Sequence, residues 1–413
     1  MTRAAVATAV IAAWAAAFWL AEGLLQAVAD LALLIALFWT LRGGTRLSAV
    51  ARPVVRWALA LAVWQGLSPV LAAGLHRTAL PSAALWLHCL DTAALAGATV
   101  LGAEVVRWAI PEALFLAGGL LSLGISTVQH LVRWSVPVPA FLRVPVDRVH
   151  ETFGGEARYA AGGFFFHRLR LAHASIAALG PSLGAALAPA EPRRRRLLAT
   201  ALALACLVCI VLAYARAALL TAFLLVLVGA VAVARSGRVR AAVVALLVGA
   251  AAVAAVSPGW RARLAAASDN FVGGERALAR AAGWDLVRQH PWLGVGFGNY
   301  HRAALDRRSV TGITDQLSRD AHSIPLTVWA ETGVVGLFLW TALHLTLLVA
   351  LVRRARGANP IALGAVLSWI GYQTLGAAHY LPFHPSVALA FALVWGVGLT
   401  RPGTGDAQAS AER

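Results

Sequence analysis

A chain of 413 residues that is 60% hydrophobic and only 13% charged lies outside the composition of soluble domains, which run at roughly 45–50% apolar and 25% charged. Its formal net charge of +17 comes wholly from arginine, because the sequence contains no lysine. Those arginines fall in short clusters between apolar segments rather than on one face, which excludes a nucleic-acid partner and reads as a topology signal. The fold class expected is an all-α polytopic membrane protein.

A spanning helix needs about 20 mostly apolar residues. In chain order the candidates are 4–22, 24–41, 57–75, 82–106, 108–129, 170–189, 197–215, 217–234, 241–257, 324–351, 359–380 and 384–400, about twelve in all. The first lacks a convincing signal-peptidase site and leads straight into the second, so it is read as a retained helix. Arg42, Arg46, Arg52 and Arg56 follow the second segment, Arg107 the fourth, and "PRRRR" (Pro192 to Arg196) the sixth. "RSGRVR" (Arg235 to Arg240) follows the eighth, "RRAR" (Arg353 to Arg356) the tenth, and Arg401 the twelfth. Every cluster follows an even-numbered segment, which puts them all on the cytoplasmic face together with both termini. Residues 1–413 then form a single integral membrane domain, ending in a short cytoplasmic tail, 402–413. Cys89, Cys206 and Cys209 are small packing residues inside apolar helices; the CLVC of the last two suits neither zinc nor redox chemistry there.

Two longer connections, 130–168 and 258–322, fall on the opposite face and carry arginines where the charge rule disfavours them. Both contain aromatic residues and helical stretches, and loops of that length are commonly functional. The second reads as a helix over 274–290, ended by Pro291 and followed by glycines at 294, 296 and 298. Arg276 and Arg280 share one face of it. GVGFG follows a helix rather than a strand and lacks the Lys-Ser/Thr of a P-loop, so it reads as a tight turn permitting close backbone approach.

Arg216 opens the eighth segment at the extracytoplasmic membrane edge, where an ionisable group is a functional hypothesis and snorkelling the plain alternative. His322 stands just before the tenth segment, with Ser323 as N-cap and Pro325 in the first turn. The positive helix end disfavours imidazolium and keeps the ring available as a general base, and it attracts anions; a histidine that only helps to cap the helix is the plain alternative. Glu331, about two turns further on, is beyond reach of that base and reads as a structural hydrogen-bonding group.

"AHSIPLTVWAETGVVGLFLW" (321 to 340) resembles the H-N/S-x-x-L-x-x-x-x-E-x-G-x-x-G-L signature of the O-antigen ligase and polymerase superfamily of membrane glycosyltransferases. His322, Ser323, Leu326, Glu331, Gly333, Gly336 and Leu337 take the matching positions. "ERALARAAGWDLVRQHPWLGVGFGNY" is similar to the family's R-(about thirteen residues)-H-P-L-x-G-x-G segment, with Arg276 in the arginine position and Arg280 where a tryptophan is usual. "YARAALL" resembles its S-R-x-A/G-x-L, and "GGFFFHRLRLAHASI" matches a further segment faintly, with His167 and Arg168 off pattern. The resemblance covers about the second half of the chain.

It implies a fold of the GT-C type, with both long connections periplasmic. The activity implied is that of an O-antigen ligase: transfer of a glycan from undecaprenyl diphosphate to lipid A-core at the periplasmic face of the bacterial inner membrane, with inversion. The catalytic residues implied are His322 as base, with Arg276 and Arg216 stabilising the diphosphate leaving group; guanidinium groups bind phosphate bidentately. Arg216, Arg276, Arg280, Arg288, His290 and Ser323 are the implied substrate-binding set. No Asp-rich cluster is spaced for Mg2+ or Mn2+, so neither metal nor other cofactor is expected. Partners are the lipid-linked donor, the lipid A-core acceptor and membrane lipids. An O-antigen polymerase and a protein O-oligosaccharyltransferase are alternatives within the superfamily, and a twelve-helix secondary transporter is one from another class.

Overall fold

The computed structural model describes residues 2–20, 22–43, 47–76, 78–133, 150–153, 156–165, 167–189, 191–233, 274–315, 318–356, 359–383 and 385–401, with isolated positions at 248, 249, 252, 256 and 261. Six helices come first: α1 (Arg3–Leu20), α2 (Glu22–Leu41), α3 (Ala51–His76), α4 (Ala83–Leu87), α5 (Cys89–Gly102) and α6 (Ala109–Val132). A hairpin of β1 (His150–Phe153) and β2 (Glu156–Tyr159) precedes α7 (Arg168–Leu187), α8 (Arg193–Leu212) and α9 (Arg216–Val233). After them come α10 (Glu275–Gln289), α11 (Tyr300–Asp306), α12 (Arg308–Thr311), α13 (Ile324–Arg356), α14 (Pro360–Gly376), a 3-10 turn at Leu381–Phe383, and α15 (Pro385–Thr400). Seven helical stretches among the described residues are long and apolar enough to cross a membrane, so this is a polytopic helical membrane protein. The predicted ninth span, 241–257, lies outside the described residues apart from isolated positions, as does the tail 402–413.

Three expectations are adjusted. The predicted span 82–106 is two helices meeting at His88, with α5 ending at Gly102. Beyond the end of α6, the described part of the 130–168 connection holds no helix before α7 but the antiparallel hairpin, in register His150 to Tyr159; the intervening sequence is Gly154-Gly155, a pair that suits a two-residue hairpin connection. The span 324–351 is not a regular helix throughout, because Gly333 inside α13 has φ 67° and ψ −172°.

Small residues let the bundle close. In α7, Gly180 and Gly184 face Gly364 of α14 so closely that a Cβ at any of them would meet the other helix's backbone, the means by which helices approach in lipid without a hydrophobic driving force between them. α7 is thereby enclosed, packed against α8, α9, α14 and α15. Bulk fills the space elsewhere: Phe18 and Trp19 of α1 pack on Phe115 of α6 with ring centroids 5.0 and 5.8 Å away.

Candidate active site

The loop after α10 is joined to α13 through the break at Gly333. A residue with φ 67° and ψ −172° leaves the helical ladder and frees the carbonyls before it. The loop's own N–H groups take them: Val295 donates to Ala330 O at 2.9 Å and Gly296 to Glu331 O at 2.8 Å, while Val334 donates back to Pro291 O at 3.0 Å. Trp64 of α3 satisfies Thr332 O at 2.9 Å. Both glycines at this crossing are required. A Cβ on Gly333 would overlap the Trp292 carbonyl, and one on Gly294 (φ 68°) would overlap the Glu331 backbone.

The Glu331 side chain completes the join. Its Oε1 accepts from the Gly298 and Tyr300 N–H groups at 3.1 and 3.4 Å, and Oε2 accepts from the Tyr380 hydroxyl at 3.5 Å. Glu331 thus holds the GVGFG turn onto α13. Replacing it with Ala would leave two loop N–H groups unpaired in a buried place, a loss of about 1–3 kcal/mol, to be read as a lowered melting temperature. Glu331→Gln keeps one acceptor oxygen and should lose less.

That join sets the height of α10. Tyr300 donates from its hydroxyl to Ala279 O at 3.0 Å, and Ala279, Ala282 and Leu286 of α10 pack with Val295, Ala321 and Leu326 in a separate small core. Burial, with Asp320 and Glu331 adding, pushes the Tyr300 phenol well above its ordinary range, so it stays a neutral donor. Arg280 donates to Ala377 O at 3.3 Å, at the C-terminus of α14, where a cation is favoured.

His322 sits in the left-handed region (φ 50°). Its N–H donates to Asp320 Oδ1 at 2.6 Å, and its ring Nδ1 lies 3.4 Å from the same oxygen. One carboxylate therefore grips both backbone and ring, and the Asp320 side chain is only 13% exposed. Burial raises the Asp320 carboxyl; His322, Arg276 and Arg319 act in the opposite direction. Arg276, from α10, is thus among the charges felt by the carboxylate that holds His322. Ser323, the residue before α13, accepts from the Thr327 N–H at 3.0 Å, and Thr327 in turn accepts from Ala321 N–H at 3.1 Å, which fixes the approach to the helix.

From His322 a row of rings leads into the bundle. His379, just past α14, stands edge-on to it at 6.5 Å, and His173 of α7 is 5.1 Å beyond. Arg168 and His167 are electrostatic neighbours of His173. Arg168 is buried and donates from Nη1 to Ala213 O and Tyr214 O at 3.0 and 3.2 Å. It thereby clamps the turn between α8 and α9, where Tyr214 has φ 49° and Arg216 opens α9. His167 caps α7 by accepting from Leu169 N–H at 3.2 Å.

Two predicted site residues lie elsewhere. Arg288 is exposed in the last turn of α10, about 18 Å from Arg276 at 1.5 Å per residue. His290 caps the same end and packs on His76 of α3 with centroids 4.6 Å apart; burial and His76 lower its pKa. Asp320 and His379 are not singled out in the sequence, and Arg168 stands there only as a departure from a family segment. The spacing D-x-H was the available signal for Asp320, whereas the other two acquire their places only through packing. Among the described residues, no three His, Cys, Asp or Glu side chains are grouped to hold a metal.

Residues 201–341 match the family model Wzy_C, described as O-Antigen ligase. No curated protein matches the chain. The matched stretch runs from α8 into α13 and contains Arg216, Arg276, Asp320, His322, Glu331 and Gly333. Its C-terminal part is the segment in which a broken helix, a glycine loop and the His322 carboxylate pair interlock. Over residues 201–341 this polytopic helical membrane protein is therefore similar to the O-antigen ligase family.

Proposed function

We propose that the chain is an O-antigen ligase of the bacterial inner membrane, transferring a glycan from undecaprenyl diphosphate to lipid A-core at the periplasmic face, with inversion and without a metal. The observation that carries this reading is the His322–Asp320 pair inside the matched domain, with Arg276 of α10 among the charges felt by that carboxylate. The topology proposed with it has about twelve spans in a GT-C-like arrangement, cytoplasmic termini, and periplasmic connections at 130–168 and 258–322. The alternation of arginine clusters supports it.

In this mechanism Asp320 holds the Nδ1–H tautomer of His322, which leaves the Nε2 lone pair outward as the base. Nε2 takes the proton of the acceptor hydroxyl. The acceptor oxygen bonds to the anomeric carbon, and the bond from that carbon to phosphate oxygen breaks on the opposite side, its electron pair leaving with the diphosphate. Arg276 stabilises the charge that grows on the leaving oxygen, and Arg216 is proposed to bind the same diphosphate from the head of α9, which packs on α7 and α14. Arg280, committed to the end of α14, anchors α10.

The test uses the purified protein with carrier-linked glycan and lipid A-core in excess chelator. Extended lipopolysaccharide is the expected product. Lengthened glycan still on its carrier would indicate a polymerase instead, and movement of glycan across proteoliposomes without covalent transfer would indicate a transporter. Within that assay, Arg276→Lys keeps the charge but loses the planar fork, and should lower turnover about 10²-fold. Arg280→Ala should cost far less; a reversed ranking overturns the assignment of the two arginines.

Asp320 predicts the pH profile. Its carboxyl is raised above the ordinary carboxylate value, so as pH falls it protonates earlier than a free carboxyl and releases the His322 ring. Turnover should therefore drop on the acid side through that raised value. Asp320→Asn should lower kcat about 10–100-fold with little change in KM and should shift the acid limb, because one of the two groups that set it is gone. An unchanged kcat in the variant would remove Asp320 from the mechanism.

A further inference from the structure

At the end of the bundle away from His322 lies a groove of about 650 Å³ between α6 and α8, floored by α7. Its volume is in the range of ligand sites, roughly 300–1,000 Å³. Small residues (Ala113 and Ala117 of α6, Ala199 of α8, Ser182 and Ala185 of α7) line it beside Pro181, with Phe115, Leu116, Leu198 and Leu202 completing an apolar wall. Pro181 stands inside α7, where a proline cannot donate to the preceding turn. α8 runs for 20 residues from Arg193 to the turn clamped by Arg168, so the two ends are about 30 Å apart. The groove's mouth is thus at the opposite membrane boundary from the candidate active site.

The mouth is electropositive. Arg194, Arg195 and Arg401 line the groove against one carboxylate, Glu112. That carboxylate is already engaged twice, by Arg195 Nη2 at 2.7 Å and by Arg401. Arg195 also pairs with Glu191 at 3.0 Å. Counting Glu191, three guanidinium groups face two carboxylates, and Arg194 is exposed with no ion-pair partner among the described residues. The start of α8 adds its positive pole, since Pro192 at the N-cap provides no side-chain hydrogen bond.

We infer that this groove binds an anionic phospholipid, its acyl chain lying along the alanine-lined wall and its phosphate held by Arg194 at the head of α8. Charge and shape agree on that occupant. An apolar trough open along the bundle takes a hydrocarbon chain, and a basic pocket between helices at the positive-inside boundary suits a phosphate headgroup. The site stands apart from the transfer chemistry and would survive the failure of that reading.

Native mass spectrometry of the purified protein, mixed separately with phosphatidylglycerol and phosphatidylcholine, tests it. The phosphatidylglycerol adduct should persist under activation that strips phosphatidylcholine. Arg194→Gln should reduce its occupancy about fivefold, the effect of one arginine at a membrane surface. Ala199→Phe obstructs the trough beside Arg195, leaves every charge in place and should weaken the adduct. Arg194 is exposed, so its variant keeps the test decisive if the phenylalanine variant fails to fold. Equal retention of the two lipids, or retention unchanged by the substitutions, overturns the site.

Discussion

His322→Ala is expected to lower glycan transfer by about 10²–10⁴-fold, the usual worth of a positioned general base, while binding of the lipid-linked donor changes little. The expectation rests on position, because the ring is fixed at Nδ1 by Asp320. His379, the next ring, is 6.5 Å away and is too far to substitute without rearrangement. Because His322 occupies the left-handed region, where Ala is unfavourable and Asn is tolerated, His322→Asn is the companion variant. Both should be equally inactive, and the Asn protein should retain the parent's melting temperature. Near-normal turnover in either removes His322 as the base.

The second large effect is on folding. Gly333→Ala should destabilise the protein by about 3 kcal/mol or more, because the backbone occupies a region open essentially only to glycine and the new methyl meets the Trp292 carbonyl. The loss goes beyond one residue's strain. To relieve the overlap the 291–296 segment must lift from α13, giving up the bonds to Ala330, Glu331 and Val334. Transfer should fall with it, and limited proteolysis should find new cuts between α10 and α11. Gly312→Ala is the control: that glycine also has φ 68°, but a methyl group added there would meet nothing within 4 Å, so it should cost only the left-handed penalty, about 1–2 kcal/mol. Equal melting temperatures for the two variants would show that close approach at Gly333 is unimportant.

How much of this was legible in the sequence depended on whether the signal was local. Eleven of the twelve proposed apolar segments coincide with helices among the described residues, because hydropathy and cap chemistry are read within one segment. Seven of the helical stretches are by themselves long and apolar enough to span. The start of α13 followed from His-Ser-Ile-Pro, and the end of α10 from Pro291. The break at Gly333 did not, because Thr332-Gly333-Val334 leaves average hydropathy unaltered and only the loop's arrival makes a helical conformation there worse than a broken one. Arg288 and His290 share a motif with Arg276, yet one straight helix carries them to the far end of α10. Arg168 shows the converse, off pattern in the sequence yet buried beneath the turn that bears Arg216.

The interlocked backbones at Gly333 have a mechanical consequence. Residues 291–300 are tied to α13 by main-chain bonds and to α3 through Ser68, which accepts from Phe297 N–H at 3.1 Å. The Arg276 end of α10 is held through side chains, among them Arg280 on Ala377, Tyr300 on Ala279, and the packing of Ala279 and Ala282. Arg276 stands about 21 Å along the helix from His290, so a tilt of a few degrees about the main-chain anchor would carry Arg276 by an ångström or more.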